Sequence, residues 1–135
     1  MNAIFYLKLY ILTVPVFFLI DMLWLGLIAR GFYREKLNAF LSPAVNWSAA
    51  IIFYLIFIVG IIFFAVLPGK AKDSLVIAAV YGALFGFFTY TTYDLTNLAT
   101  LKNWPLSLVV VDILWGMVLC SIVASISFFI TKEIS

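Results

Sequence analysis

Three acidic residues stand inside long apolar runs: Asp21 in IDMLWLG, Asp94 in TTYDLTN and Asp112 in VDILWGM. In apolar surroundings a carboxyl group can take up and release a proton, hold a cation, or accept hydrogen bonds. An isolated charge there is expensive, so ionisable groups in such runs are functional by default. Asp21 and Asp112 share a spacing. Each has a tryptophan three residues later, Trp24 and Trp115, and a glycine just beyond, Gly26 and Gly116. On a helix that places each acid and its indole one turn apart. Around the third acid, Tyr90, Asp94 and Asn97 follow i, i+4, i+7 spacing and share one helix face, with Tyr93 beside it and Thr89 and Thr96 nearby.

Other chemistry is removed by composition. The chain has no histidine, the usual near-neutral acid–base group and commonest metal ligand. No Ser–His or Cys–His arrangement can therefore exist. Cys120 is the single cysteine, so an internal disulfide is impossible and no zinc or iron–sulfur site is expected. No metal ligands, cofactor or catalytic residues are assigned. A net charge of +2 is too small to suggest nucleic acid as a partner.

The elements that position the acids follow from hydropathy. Of 135 residues, 67% are hydrophobic and only 10% charged. The mean hydropathy is +1.22. A soluble domain carries about 25% charged residues, so this chain cannot cover itself with polar surface. It reads as a multi-pass membrane protein folded as one transmembrane domain. A spanning helix needs about 20 apolar residues, and four segments qualify: 4–29, 43–67, 74–97 and 105–130. The expected fold is an all-α bundle of four antiparallel transmembrane helices. Ser42-Pro43 reads as a helix start, Pro68-Gly69 as a stop, and Trp104-Pro105 as the opening of the fourth helix. Pro15 predicts a kink in the first helix. Trp47 and Trp104 fall at boundaries where tryptophan favours the membrane interface. The first segment reads as a retained helix rather than a cleaved signal, because it is long, contains Asp21 and has no A-x-A-like site after it.

The basic residues punctuate these spans. Lys8, Lys70, Lys72 and Lys132 fall on one side, and Arg30, Arg34, Lys36 and Lys102 on the other, which leaves the orientation open. Lys8 is the only basic residue within a span, near its start, and is expected to snorkel to the surface. No cation therefore pairs with the three acids at their own depth. Asp21 lies about eight residues before the end of the first helix, and Asp112 about seven after the start of the fourth. At about 1.5 Å per residue, both sit roughly 10–12 Å below one face. Asp94, near the end of the third helix, approaches the same face, and Tyr54, near the middle of the second, can reach into the same pocket. Neutralising an aspartate at pH 7 costs roughly 4 kcal/mol, and an unpaired carboxylate in a dry site costs more. A proton, water or a cation must meet that cost.

Structural readings compete with functional ones. Gly82 and Gly86 form a G-x-x-x-G pair, extended by Ala78, and read as a packing ridge. Trp24 and Trp115 serve equally well as packing or as ligand contacts. Cys120 reads as inert core, and Ser121, Ser125 and Ser127 as bonded to their own helix or a neighbour. The acids could simply hold the helices together, but interhelical polar contacts in membranes give only about 0.6–2 kcal/mol each. Three unpaired acids are a costly way to obtain that. The match between DMLWLG and DILWGM could be the trace of an inverted repeat, a plan common in transporters.

The stretches DMLWLG, Phe32-Tyr33, FYLIFIVG, GALFGFFTYTTYDLTNLATLKNWP and DILWG together resemble a family of small bacterial membrane proteins, the domain-of-unknown-function family numbered 2177. The resemblance covers nearly the whole chain, and YTTYDLTNLATLKNW is its most specific part. It implies a four-helix protein of the bacterial inner membrane and supplies no activity and no catalytic residues.

The leading expectation is an acidic, tyrosine-lined pocket built from Asp21, Trp24, Tyr54, Tyr90, Tyr93, Asp94, Asn97, Asp112 and Trp115. It would bind a small cationic or hydrogen-bonding ligand, and transport coupled to protons is one form of that function. With only four helices, a transporter would need a homodimer. The partners so implied are the lipid bilayer and a small-molecule or lipid ligand. A second reading is a membrane-embedded enzyme acting on a lipid or isoprenoid, with carboxylates as acid and base or as Mg²⁺ ligands. Against it, no acid is paired on its own helix and no basic residue at that depth could hold phosphate. A third reading is a structural or accessory subunit.

Overall fold

The computed structural model describes all 135 residues, and every regular element is helical. Helix α1 (Ala3–Leu23) begins at Asn2, whose side chain accepts from Phe5 N–H at 3.0 Å. It runs through Pro15 without a break and leaves α geometry only at a wider π-helical turn over Trp24–Ile28. A short helix α2 (Arg30–Leu37), not anticipated from hydropathy, follows at once. The second span is α3 (Trp47–Ile61), a π-helical turn (Ile62–Val66) and α4 (Leu67–Ala71). Helices α5 (Leu75–Thr100) and α6 (Leu106–Glu133) complete the chain. Four continuous helical segments, Ala3–Ile28, Trp47–Ala71, Leu75–Thr100 and Leu106–Glu133, are long and apolar enough to cross a membrane. The protein is an all-α membrane bundle.

Two boundary expectations differ from what is found. The second span starts at Trp47 rather than Pro43, because Asn46 is the cap, accepting from Ala49 N–H at 3.1 Å. Ser42 instead accepts from Ala44 N–H in a local turn. The helix also passes through Pro68-Gly69. Leu67 N–H bonds to Ile62 O, so the ladder slips by one residue just before Pro68. The bond that proline cannot make falls at that slip. The helix stops at Ala71. Asp73 is left-handed (φ 44°), its N–H bonds to Lys70 O, and Ser74 N–H bonds to Gly69 O. This is the Schellman arrangement. Ser74 then caps α5 by accepting from Ile77 N–H at 3.3 Å.

Helix α6 carries the most buried residues and packs along α5 on one flank and α1 on the other. Between α5 and α6 the contact is made by small residues. A Cβ at Gly82 would lie 2.6 Å from Cys120 O and 2.9 Å from Ala124 Cβ, and one at Gly86 would overlap the Gly116 carbonyl. The G-x-x-x-G ridge thus meets a second small stripe, Gly116, Cys120 and Ala124. Between lipid-facing helices there is little hydrophobic drive, so such close backbone approach supplies the association. Helix α1 joins α6 through Thr13 and Ser127, whose buried hydroxyls lie 2.9 Å apart, and joins α3 through Tyr10 O–H donating to Leu55 O at 2.9 Å. Ser125 bonds back to Ser121 O, and Cys120 is fully buried in the core. Lys8 is exposed.

Gly86→Ala is expected to destabilise the bundle by about 1–3 kcal/mol, the usual cost of overpacking. Gly26→Ala meets nothing within 4 Å and is expected to be near neutral. Thermal unfolding of the two variants in one detergent checks the contrast, and equal stability would contradict the account of the α5–α6 contact.

Candidate functional site

The end of α1, α2, the start of α3, the end of α5 and the start of α6 meet at one end of the bundle. All three acids of the apolar runs lie there and all are buried: Asp21 is 2% exposed, Asp94 0% and Asp112 8%. None is ion-paired, since the single salt bridge, Lys132 to Asp73 at 2.9 Å, lies at the opposite end.

The two Asp–Trp spacings interlock. Because α1 and α6 are antiparallel neighbours, each tryptophan turns toward the other helix's acid. Trp115 Nε1–H donates to Asp21 Oδ1 at 3.2 Å. Trp24 Nε1–H donates to the Tyr33 oxygen at 3.2 Å, and Tyr33 O–H donates to Asp112 Oδ1 at 2.7 Å. The two indoles stack between these arms with centroids 4.5 Å apart and planes 11° apart. The arrangement is reciprocal but uneven: one acid is reached directly, the other through a tyrosine from α2. The glycines of the two motifs are also unequal. Gly116 is needed because a Cβ there would overlap the Tyr90 ring, whereas Gly26 has open space around it. Burial, with Asp112 beside it, pushes the Tyr33 phenol above its usual range, so it remains a hydrogen-bond donor.

Asp94 faces α6 beside Asp112, as its i, i+4 relation to Tyr90 requires. Neither Asp94 oxygen has a hydrogen bond of good geometry, nor does the buried indole nitrogen of Trp104, although Asp112 and Trp104 both stand beside that carboxyl. Leaving a charged carboxylate so enclosed and unpaired is costly. Tyr54 reaches toward Asp21 from α3 while packing on Phe17 and Phe18.

A cavity of about 770 Å³ lies next to this cluster. Of the residues that sequence reasoning grouped into one pocket, Tyr54, Tyr90, Tyr93 and Asp112 line it. Asp21, Trp24 and Trp115 form a packed layer beside it, Asp94 sits behind Asp112, and Asn97 stands further along α5 next to Tyr93. The acids are not gathered into a three-carboxylate cluster.

Helix α5 packs on the π-helical turn and α4 but diverges from the first half of α3. The cavity is the wedge between them, with Phe53 and Phe57 on one wall and Phe88 and Thr92 on the other. Phe53 and Phe88 are largely exposed, so the wedge opens sideways, toward where the acyl chains of a bilayer would lie. Its end is closed by Tyr33, Leu37, Trp104 and Leu108.

None of these four residues was singled out in advance as part of the site. Trp104 stands just before the fourth span, at the expected boundary, but it is only 6% exposed and packs on Phe40, Tyr93 and Leu108. The segment after α2 folds back over it. Tyr33 was hidden among charged neighbours. The signal that could have found it is Tyr33 and Leu37 at i, i+4, an apolar pair on a short helix otherwise rich in Arg, Lys and Glu.

No curated protein and no solved structure matches the chain. A family model described as "Predicted membrane protein (DUF2177)" matches residues 6–129. That match runs from the first turns of α1 to the last turns of α6 and takes in every residue of the site, and the chain belongs to this family of membrane proteins.

Proposed function

We propose that the protein binds an amphiphile that enters sideways from the bilayer, between α3 and α5, and places its polar end against Asp112 and Tyr33. The observation that carries this reading is the cavity itself: about 770 Å³, walled mainly by aromatic and aliphatic side chains, with one acid at its closed end. Binding sites of this kind are mostly apolar with a few placed polar groups that fix orientation. No Lys or Arg lines the wall, so an anionic head has nothing to meet. The cavity belongs to one half of the bundle. Beyond it Phe17, Ile58, Leu119 and Val123 are fully packed, which favours binding over passage through a single chain. The resemblance to small bacterial membrane proteins favours the inner membrane as its location.

One observation favours a second reading, acid–base chemistry on such a ligand. Asp94 and Asp112 approach each other from different helices, supplying the paired carboxyls that neither helix carries alone. Mass spectrometry of an amphiphile incubated with the protein distinguishes the two, since binding returns it unchanged.

Trp104 reports on the cavity. A monoacylglycerol with a brominated chain is expected to quench tryptophan fluorescence saturably, with the quenched component lost in Trp104→Phe. Thr89→Phe, which adds bulk to the wall, is expected to weaken binding about tenfold, roughly 1.4 kcal/mol. Quenching that never saturates, or that ignores both substitutions, would sink the reading.

A further inference from the structure

The wall of the cavity contains one charged residue, Asp112, and no base. A ligand with a single positive charge is therefore complementary to it, and a phosphate beside that charge would find no cation. The form of the positive group follows from what surrounds the acid. Tyr33, Tyr90, Tyr93 and Trp104 all line the same cavity as Asp112. Tyr90 is fixed by its close packing on Gly116, and Tyr93 and Trp104 meet edge to face with centroids 6.0 Å apart. Aromatic faces around an acid attract cations, and they suit alkylated ammonium groups best.

Charged hydrogen-bond acceptors, by contrast, are few, since Asp112 carries the only carboxyl group on the wall. Tyr33 O–H already takes Asp112 Oδ1. Thr89 and Thr92 donate their hydroxyl protons to the carbonyls of Phe85 and Phe88 on their own helix, which leaves only neutral oxygen lone pairs for a ligand. A primary ammonium brings three N–H donors that must all be satisfied, and a buried donor left unmade is penalised. A trimethylammonium brings none, and its methyl groups pack on ring faces. We infer that the cavity selects an amphiphile with a quaternary ammonium head, seated beside Asp112 among Tyr33, Tyr90, Tyr93 and Trp104, over the corresponding primary amine. The inference rests on the binding reading above and adds the head group to it.

Octyltrimethylammonium, octylammonium, octanol and tetramethylammonium, titrated against the protein in maltoside micelles with Trp fluorescence as readout, test it. The trimethyl probe is expected to bind about tenfold more tightly than octylammonium or octanol. It is also expected to bind about tenfold more tightly than tetramethylammonium, which has the head without the chain. Asp112→Asn is expected to abolish the preference for the charged head. Because that variant also disturbs Tyr33, a second pair serves as control. Tyr93, half exposed on the wall, is expected to tolerate Tyr93→Phe, which keeps the ring face, and to lose affinity several-fold in Tyr93→Leu. Octylammonium or octanol binding as tightly as the trimethyl probe would overturn the inference while leaving the amphiphile reading intact, as would Tyr93→Leu binding unchanged. Tetramethylammonium binding as tightly as the octyl probe would overturn the seating of the chain between α3 and α5. No saturable binding of any probe would overturn both.

Discussion

The close contact of α5 with α6 is the constraint on which the rest of this structure depends. Two backbones can approach so nearly only where side chains are absent, and Gly86 against the Gly116 carbonyl has no room for a methyl group. That contact fixes the register of the two helices. With the register fixed, the Tyr90 ring lies against Gly116 and Asp94 arrives beside Asp112. A bulkier residue at either glycine would separate the helices and draw the two carboxyls apart. The stripe continues through Gly82, Cys120 and Ala124 toward the other end of the bundle, so packing and site geometry have one cause.

A second constraint is that hydrogen bonds in an apolar medium must be closed among the chain's own groups. At the acid-bearing end the protein closes three of them in the Asp21–Trp115 and Trp24–Tyr33–Asp112 arms, held together by the stacked indoles. It leaves a few unclosed, both Asp94 oxygens and the Trp104 indole nitrogen among them, and these adjoin the cavity's closed end. Unsatisfied buried polar groups call for a functional explanation, and here they stand beside the one acid that reaches the cavity wall. One of the two irregular turns serves the same end. The π-helical turn at Trp24–Ile28 leads directly into α2, so that Tyr33 returns over the top of α6.

Much of the frame was legible in the sequence because membranes leave few choices. Four apolar runs of adequate length had to be helices, since no other element satisfies its backbone within a single segment. Helix counting then placed Asp21, Asp94 and Asp112 near one end of the bundle. The small-residue spacing at Gly82 and Gly86 was readable as packing for the same reason. The boundaries of the second span were less legible. Proline and glycine usually mark helix ends, but here a one-residue slip in the ladder lets the helix absorb Pro68, and Gly69 is there because a Cβ would overlap Ala78.

The sequence by itself determined the number of spanning helices, the absence of histidine, and the presence of three acids with no base at their depth. These follow from composition and from a fixed rise per residue. Only the tertiary structure decided which acid meets which donor, because that depends on the angle and register between helices, which hydropathy does not encode. It divided an expected single pocket into a packed Asp21–Trp115 layer and an open cavity at Asp112. It brought Tyr33 from a charged connection into that cavity's end. It also turned Trp104 inward, since the segment carrying Phe40 folds over it. The cavity itself exists because α3 and α5 diverge, and divergence is a property of two helices together rather than of either one.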